Sequence, residues 1–236
     1  MIWIRSALFN LAFFAWTSIV VLVAVPLLVL PERVMVLYAR AWSWSILTML
    51  RLICGLGYRV VGREKIPETG AIIACKHQSA WDTVVFFAVC DAPVYILKRE
   101  LLLVPFFGWC LIKSGMIPID RKGGTVAMRK VIARATASLA QGRHIVIFPQ
   151  GTRVAPGVKA PYQPGAVGLY THLGVPVVPA ALDSGRFWAR RSFLKKPGTI
   201  TLEFLDPIPP GLPRAQVHRQ LEERIEAASD RLLASG

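Results

Sequence analysis

His77 and Asp82 stand five residues apart in KHQSAWD, directly after the apolar run AIIAC at residues 71–75. A strand over that run would deliver His77 to the end of a sheet, where open α/β sheets place their ligands. If the chain turns at residues 78–80 and enters a helix at Trp81, Asp82 can fold back toward the imidazole. A carboxylate bonded to one ring nitrogen fixes the tautomer. It also stabilises the imidazolium formed when the other nitrogen takes a proton. The plainer alternative is a helix-capping aspartate beside an ordinary loop histidine. Ser79 is too near His77 in sequence to be assumed its partner, and no GxSxG elbow is present. A His–Asp pair without a protein nucleophile would activate a substrate hydroxyl directly. His144, His172 and His218 show no ligand spacing such as HxxxH, so no metal is expected.

A second cluster is FPQGTR, residues 148–153, after the run IVIF. Gly151 permits a tight turn, after which Thr152 and Arg153 point into one crevice. Backbone amides of such a turn can face an anion, and a guanidinium can hold phosphate bidentately. It is not a Walker loop, because GxxxxGK is missing. A third cluster is GMIPIDR, residues 115–121, ending in Arg121, which Asp120 could orient. Lys98, followed by Arg99 and Glu100, ends the run VYIL. Taken singly, these groups read as solvated turns. Three strand-like runs that each finish in Lys or Arg fit a phosphate pocket.

These residues need a scaffold, and composition limits what it can be. Apolar residues make up 54% of the 236-residue chain and charged residues 18%, which excludes a disordered segment or a polar repeat array. The net charge of +14 calls for an anionic partner: a membrane surface, a phosphorylated substrate, an acidic carrier protein or nucleic acid. Nucleic acid is the weakest of these, because most tryptophans lie in the apolar N-terminal region rather than in a basic, soluble stripe. Cys54, Cys75, Cys90 and Cys110 are scattered in apolar runs and read as buried free thiols.

From Ser6 to Pro31 there are 26 residues without a charge, enough for a helix that crosses a bilayer. Pro26 would kink it or end its straight part. A second apolar stretch over residues 34–58 carries Arg40, Arg51 and the aromatics Tyr38, Trp42 and Trp44, as an interfacial amphipathic helix does. The pair can be a transmembrane span plus an interfacial helix, or a hairpin that re-enters one leaflet. Two soluble core helices are the third possibility. The expected organisation is a membrane-anchoring unit over residues 1–57 and one α/β domain over residues 58–236. In the latter, the pattern predicts strands at 71–75, 94–97, 144–149, 175–182 and 199–208, with Pro179 interrupting the fourth and the fifth on an edge. Helices are predicted at 83–90, 125–141 and 214–234. A mostly parallel or mixed sheet flanked by helices follows.

The four blocks together resemble those of the glycerolipid acyltransferases. KHQSAWD is similar to their histidine-x4-aspartate motif, GMIPIDR to the second block, FPQGTR to the third and GVPVVPAAL to the fourth, in the same order over roughly residues 58–205. The hydrophobic N-terminus is similar to bacterial members that acylate lysophosphatidate. The resemblance implies acyl transfer from acyl-CoA or acyl-acyl carrier protein to the sn-2 hydroxyl of 1-acyl-sn-glycerol 3-phosphate, without a tightly bound cofactor. It implies His77 as general base with Asp82 as its partner, and Arg121 and Arg153 on the substrate phosphate, with Gly151 and Thr152 in the same turn. Pro179 would shape the donor side, and Lys76, Lys98 and Gln150 are further candidate substrate or donor contacts. It also implies anionic lipid as a partner and the bacterial inner membrane as the location, with the active site on the cytoplasmic side. Another acceptor, such as a lyso-ornithine lipid or glycerol 3-phosphate, and a non-catalytic lipid-binding protein are the rival readings. Two positions depart from the family pattern: Lys76 replaces the usual Asn before the histidine, and Gln150 replaces the usual Glu after the proline.

Overall fold

The computed structural model describes residues 1–120 and 123–235. Among these, β1 (Leu56–Val61), β2 (Ile72–Cys75), β3 (Val94–Lys98), β4 (Ile117–Ile119), β5 (Ile145–Ile147), β6 (Val177–Leu182) and β7 (Gly198–Phe204) form one sheet in the order β1-β7-β6-β2-β5-β3-β4. Neighbours are parallel except β6 and β7, so the sheet is mixed. The helices are α1 (Ile2–Leu27), α2 (Glu32–Met49), α3 (Asp82–Val89), α4 (Phe107–Lys113), α5 (Gly124–Leu139), α6 (Gly165–Leu173), α7 (Ser184–Phe187) and α8 (Arg214–Ala234).

Successive strand residues face opposite sides, and β2 is apolar at every position, so it can be buried on both. Ile73 and Cys75 enter a core with Ile46 of α2 and Val85 and Phe86 of α3. Ile72 and Ala74 enter the opposite core with Val131 of α5, Leu169 of α6 and Ile225 of α8. The spacing Val217, Leu221, Ile225 puts one stripe of α8 against the sheet, and all three are buried.

The fifth predicted strand is not an edge. β7 lies between β1 and β6, and Ile200, Leu202 and Phe204 are fully buried. Its neighbour β1 begins at residues 56–58, the end of the second apolar stretch, which reads as helix. In fact α2 stops at Met49, a π-helical turn covers Leu50–Cys54, and Gly55 takes a left-handed φ of +66°. The chain then reverses and pairs with β7 from Leu56 onward. Nor does Pro179 interrupt β6. Its carbonyl accepts from the Leu205 amide at 2.9 Å, just beyond the end of β7, so the missing N–H falls where the partner strand has stopped.

A division after residue 57 falls inside β1, and the N-terminal helices are packed into the rest. Ser43 Oγ donates to the Val84 carbonyl at 2.7 Å, and Ile46 and Leu50 are core residues. Arg143 joins Glu32 in an ion pair and donates to the Ser114 carbonyl at 2.8 Å. α1 is docked at its beginning: Arg5 Nε donates to the Ile53 carbonyl at 2.5 Å, and the fully buried Phe9 ring meets Trp188 edge-on at 5.6 Å. Elsewhere α1 presents Leu8, Leu11, Phe14, Ile19 and Leu22 outward. It is the helix among the described residues that is long and apolar enough to cross a membrane.

This division of α1 has a measurable consequence. Phe9→Ala should cost about 3–5 kcal/mol of stability, in the range of a buried aromatic truncation. Leu11→Ala, at a position 71% exposed, should cost far less. Chemical unfolding of the detergent-purified protein would compare them, and equal losses would mean that α1 is not seated on the fold as described.

Candidate active site

β6, β2 and β5 are adjacent and parallel, so their C-terminal ends lie side by side. β2 runs into Lys76 and His77, β5 runs into Phe148 and the turn to Arg153, and β6 runs into Asp183 and Ser184. After β2 the chain crosses to the face covered by α3, whereas after β5 it reaches α6 on the other face. Chain departures to opposite faces from neighbouring strands open a crevice between them.

His77 Nδ1 lies 2.8 Å from Asp82 Oδ2. The same oxygen accepts the backbone amides of Gln78 at 2.7 Å and Ser79 at 2.8 Å. Ser184 Oγ donates to Asp82 Oδ1 at 2.6 Å. Asp82 is the first residue of α3 yet makes no capping bond to the helix. The helix-cap expectation is therefore corrected: the carboxylate turns back to hold the histidine and the two amides that follow it. With Nδ1 donating to Asp82, Nε2 is left as the proton acceptor. The imidazole is also stacked on Phe148, with centroids 4.0 Å and planes 16° apart. Phe148 and Ser184 were not singled out by the sequence reading, although Phe148 opens FPQGTR and Ser184 follows the fourth block by two residues.

The FPQGTR segment is a tight turn. The Gly151 amide donates to the Phe148 carbonyl at 2.8 Å, and Gly151 has a φ of +68°, which suits a residue without Cβ. Thr152 is exposed at the tip. The next turn is tied to the histidine, because the Val154 amide donates to the His77 carbonyl at 2.8 Å. Arg153 is thereby held close to the His–Asp pair. Burial pulls its guanidinium pKa below the usual value, Asp82 opposes that shift, and Arg190 adds to it.

Comparison with known proteins places the fold and its motifs in a family. Residues 57–183 match the protein family described as Acyltransferase. The chain belongs to the acyltransferase family. It is 34% identical over 202 residues to the 1-acyl-sn-glycerol-3-phosphate acyltransferase of Pseudomonas aeruginosa, covering 84% of this chain and 77% of that one. It is 28% identical over 162 residues to the coconut (Cocos nucifera) protein of the same name, covering 68% of this chain and about half, 52%, of that one. In fold it superposes on the crystal structure of the 1-acyl-sn-glycerophosphate (LPA) acyltransferase PlsC from Thermotoga maritima, with a TM-score of 0.81 at 20% identity over 99% of this chain and 98% of that chain.

The two departures from the acyltransferase pattern meet in one buried network. Lys76 is completely buried and its Nζ lies 2.5 Å from Glu226 Oε2 on α8. Glu226 Oε1 accepts from Tyr162 Oη at 2.9 Å and from Gln150 Nε2 at 3.4 Å. Gln150 Oε1 in turn faces the His77 amide at 3.5 Å. The expectation that Lys76 contacts donor or acceptor is corrected, because a burial of this depth requires an internal counter-charge. A carboxylate 150 residues away supplies it, while position 150 carries a neutral amide. Glu226 gave no local sequence signal beyond its place beside the apolar stripe of α8.

Other expected contacts are spread more widely. Lys98 is exposed at the end of β3, two strands from β2 and thus roughly 10 Å across the sheet. Arg99 pairs with Asp120 at 2.6 Å. Pro179 is buried inside β6 opposite Ala74, so it shapes the sheet and not the site opening. Arg121 lies outside the described residues.

Removing one member of the buried pair isolates the other. Glu226→Gln should destabilise the acyltransferase by about 3–5 kcal/mol, whereas Lys76→Met combined with Glu226→Gln should recover most of that loss. A double-mutant cycle by urea unfolding measures this. Additive losses would mean that the two residues do not form the pair described.

Proposed function

We propose that this acyltransferase moves a fatty acyl group from a thioester, acyl-CoA or acyl-acyl carrier protein, to the sn-2 hydroxyl of 1-acyl-sn-glycerol 3-phosphate, giving phosphatidic acid. The observation that carries the reading is the His77–Asp82 contact at 2.8 Å, with the Ser184 and Ser79 hydroxyls engaged elsewhere. Ser184 Oγ is spent on Asp82, and Ser79 Oγ accepts from the Trp81 amide at 3.2 Å. Cys75 is fully buried and burial raises its thiol pKa well above the usual value, so it is a poor nucleophile. Neither serine nor this thiol is poised to carry an acyl group, which supports direct attack by the acceptor.

In that mechanism His77 Nε2 takes the proton of the acceptor hydroxyl as its oxygen bonds to the thioester carbonyl carbon. The tetrahedral intermediate collapses, the carbon–sulfur bond breaks, and the leaving thiolate takes the proton from His77. Asp82 keeps the imidazole in the correct tautomer and balances its transient charge. Arg153, and Arg121 by resemblance, meet the acceptor phosphate. The assay uses purified enzyme, lysophosphatidate and each donor, with thiol release and lipid product measured together. His77→Ala should lower turnover by about 10²- to 10⁴-fold while the protein remains folded. Near-normal turnover in that variant would end the general-base mechanism.

The second part of the reading is location. An outward apolar face on α1, next to a basic enzyme of charge +14, supports attachment to an anionic bilayer, the bacterial inner membrane, with His77 on the cytoplasmic side where thioester donors are made. Full-length protein should stay with membranes through a carbonate wash, and a reporter near His77 should be shielded from periplasmic reagents. Release into the wash, or labelling from the periplasm, would reject this placement.

A further inference from the structure

Arg190 stands on the loop between β6 and β7, outside the four motif blocks. Its Nη1 donates to the Arg153 carbonyl at 3.0 Å. No carboxylate forms a salt bridge with Arg153 or Arg190 among the described residues. Asp82, the carboxylate nearest in effect to Arg153, already accepts from His77, Gln78, Ser79 and Ser184. Two guanidinium groups are thus brought to one edge of the crevice with no acidic side chain left to neutralise them. Arg190 spends one of its five N–H donors on the Arg153 carbonyl and has the others free for a ligand.

The loop that carries Arg190 is fastened at both ends. It begins at Ser184, which holds Asp82, and the Trp188 amide donates to the Ser184 carbonyl at 2.9 Å. It ends at Lys195, whose amide is bound by Ser6 Oγ of α1 at 3.0 Å. The Lys195 ammonium lies 5.5, 4.9 and 5.8 Å from the ring centroids of Phe9, Trp188 and Phe193, bonds the Phe193 carbonyl at 2.9 Å, and also meets Asn10. Arg190 is therefore presented on a braced arm.

We propose that Arg190 binds the same phosphate group as Arg153, forming a two-guanidinium cradle beside His77. This inference rests on the reading of Arg153 as a phosphate ligand. The shared chemistry is a phosphate, which can belong either to the lysophosphatidate acceptor or to the phosphopantetheine arm of the donor. Guanidinium forks suit it because each can give parallel N–H bonds to two phosphate oxygens.

The test compares wild type, Arg190→Ala, Arg190→Gln and Arg190→Lys. Each is assayed at varied lysophosphatidate, at varied acyl-CoA, and with 1-acylglycerol, which has no phosphate. If the acceptor supplies the phosphate, Arg190→Ala should raise the half-saturating lysophosphatidate concentration roughly 10- to 100-fold, leave donor dependence near normal, and leave the rate on 1-acylglycerol unchanged. Arg190→Lys should fall between wild type and Ala. A rise confined to acyl-CoA would assign the same cradle to the donor. Unchanged dependence on both substrates in Arg190→Ala and Arg190→Gln would overturn the proposal, as would an equal loss on 1-acylglycerol, which a merely structural role gives. Failure of wild type to acylate lysophosphatidate would instead remove the underlying functional reading.

Discussion

Four hydrogen-bond donors converge on the Asp82 carboxylate, and the active site exists only where their sources meet. The imidazole and two amides arrive from the end of β2, the hydroxyl from the end of β6, and the carboxylate from the first residue of α3. A shift of one strand relative to its neighbour would break the set, so the parallel register of β2 with β6 is part of the catalytic geometry. The stack of His77 on Phe148 brings β5 into the same arrangement. The base is thus fixed in tautomer by one strand pair and in ring plane by the other.

Charge is handled differently on the two sides of this histidine. Behind it, Lys76 is buried and matched by Glu226, a closed pair whose worth lies in preventing an isolated ion. Beside it, Arg153 and Arg190 are left without a carboxylate partner among the described residues, which keeps positive potential at the crevice. The same excess of basic residues therefore has an internal use and an external one. Position 150 illustrates the trade: a neutral amide bridges His77 and Glu226, and the carboxylate that the family usually carries there is supplied by α8.

What was legible in the sequence was what a few neighbouring residues decide. The His77–Asp82 pair closes within one turn, and α8 spans the residues that its apolar spacing indicated, 214–234. The Gly151 turn was likewise visible from its glycine. What escaped depends on partners far along the chain. β1 has no convincing alternation of its own and becomes a strand because β7 lies beside it, which also moves β7 from the edge to the interior. Glu226 gains meaning only when α8 packs on β6 and reaches Lys76 just past β2, and Ser184 only when β6 delivers it to Asp82. The N-terminal helices were legible as apolar, but the docking of Phe9 and Arg5 on residues from 53 to 195 was not.

That docking sets an order of assembly. Ser6 waits for Lys195, 189 residues later, and β1 waits for β7, which starts at Gly198. Contacts of such sequence separation form late, because the chain must lose the freedom of the whole intervening segment before they repay it. On the ribosome, the apolar first helix emerges well before the loop that covers its inner face. A bilayer surface that receives α1 early would shelter that face during synthesis, and the active site would close only when the last third of the chain arrives.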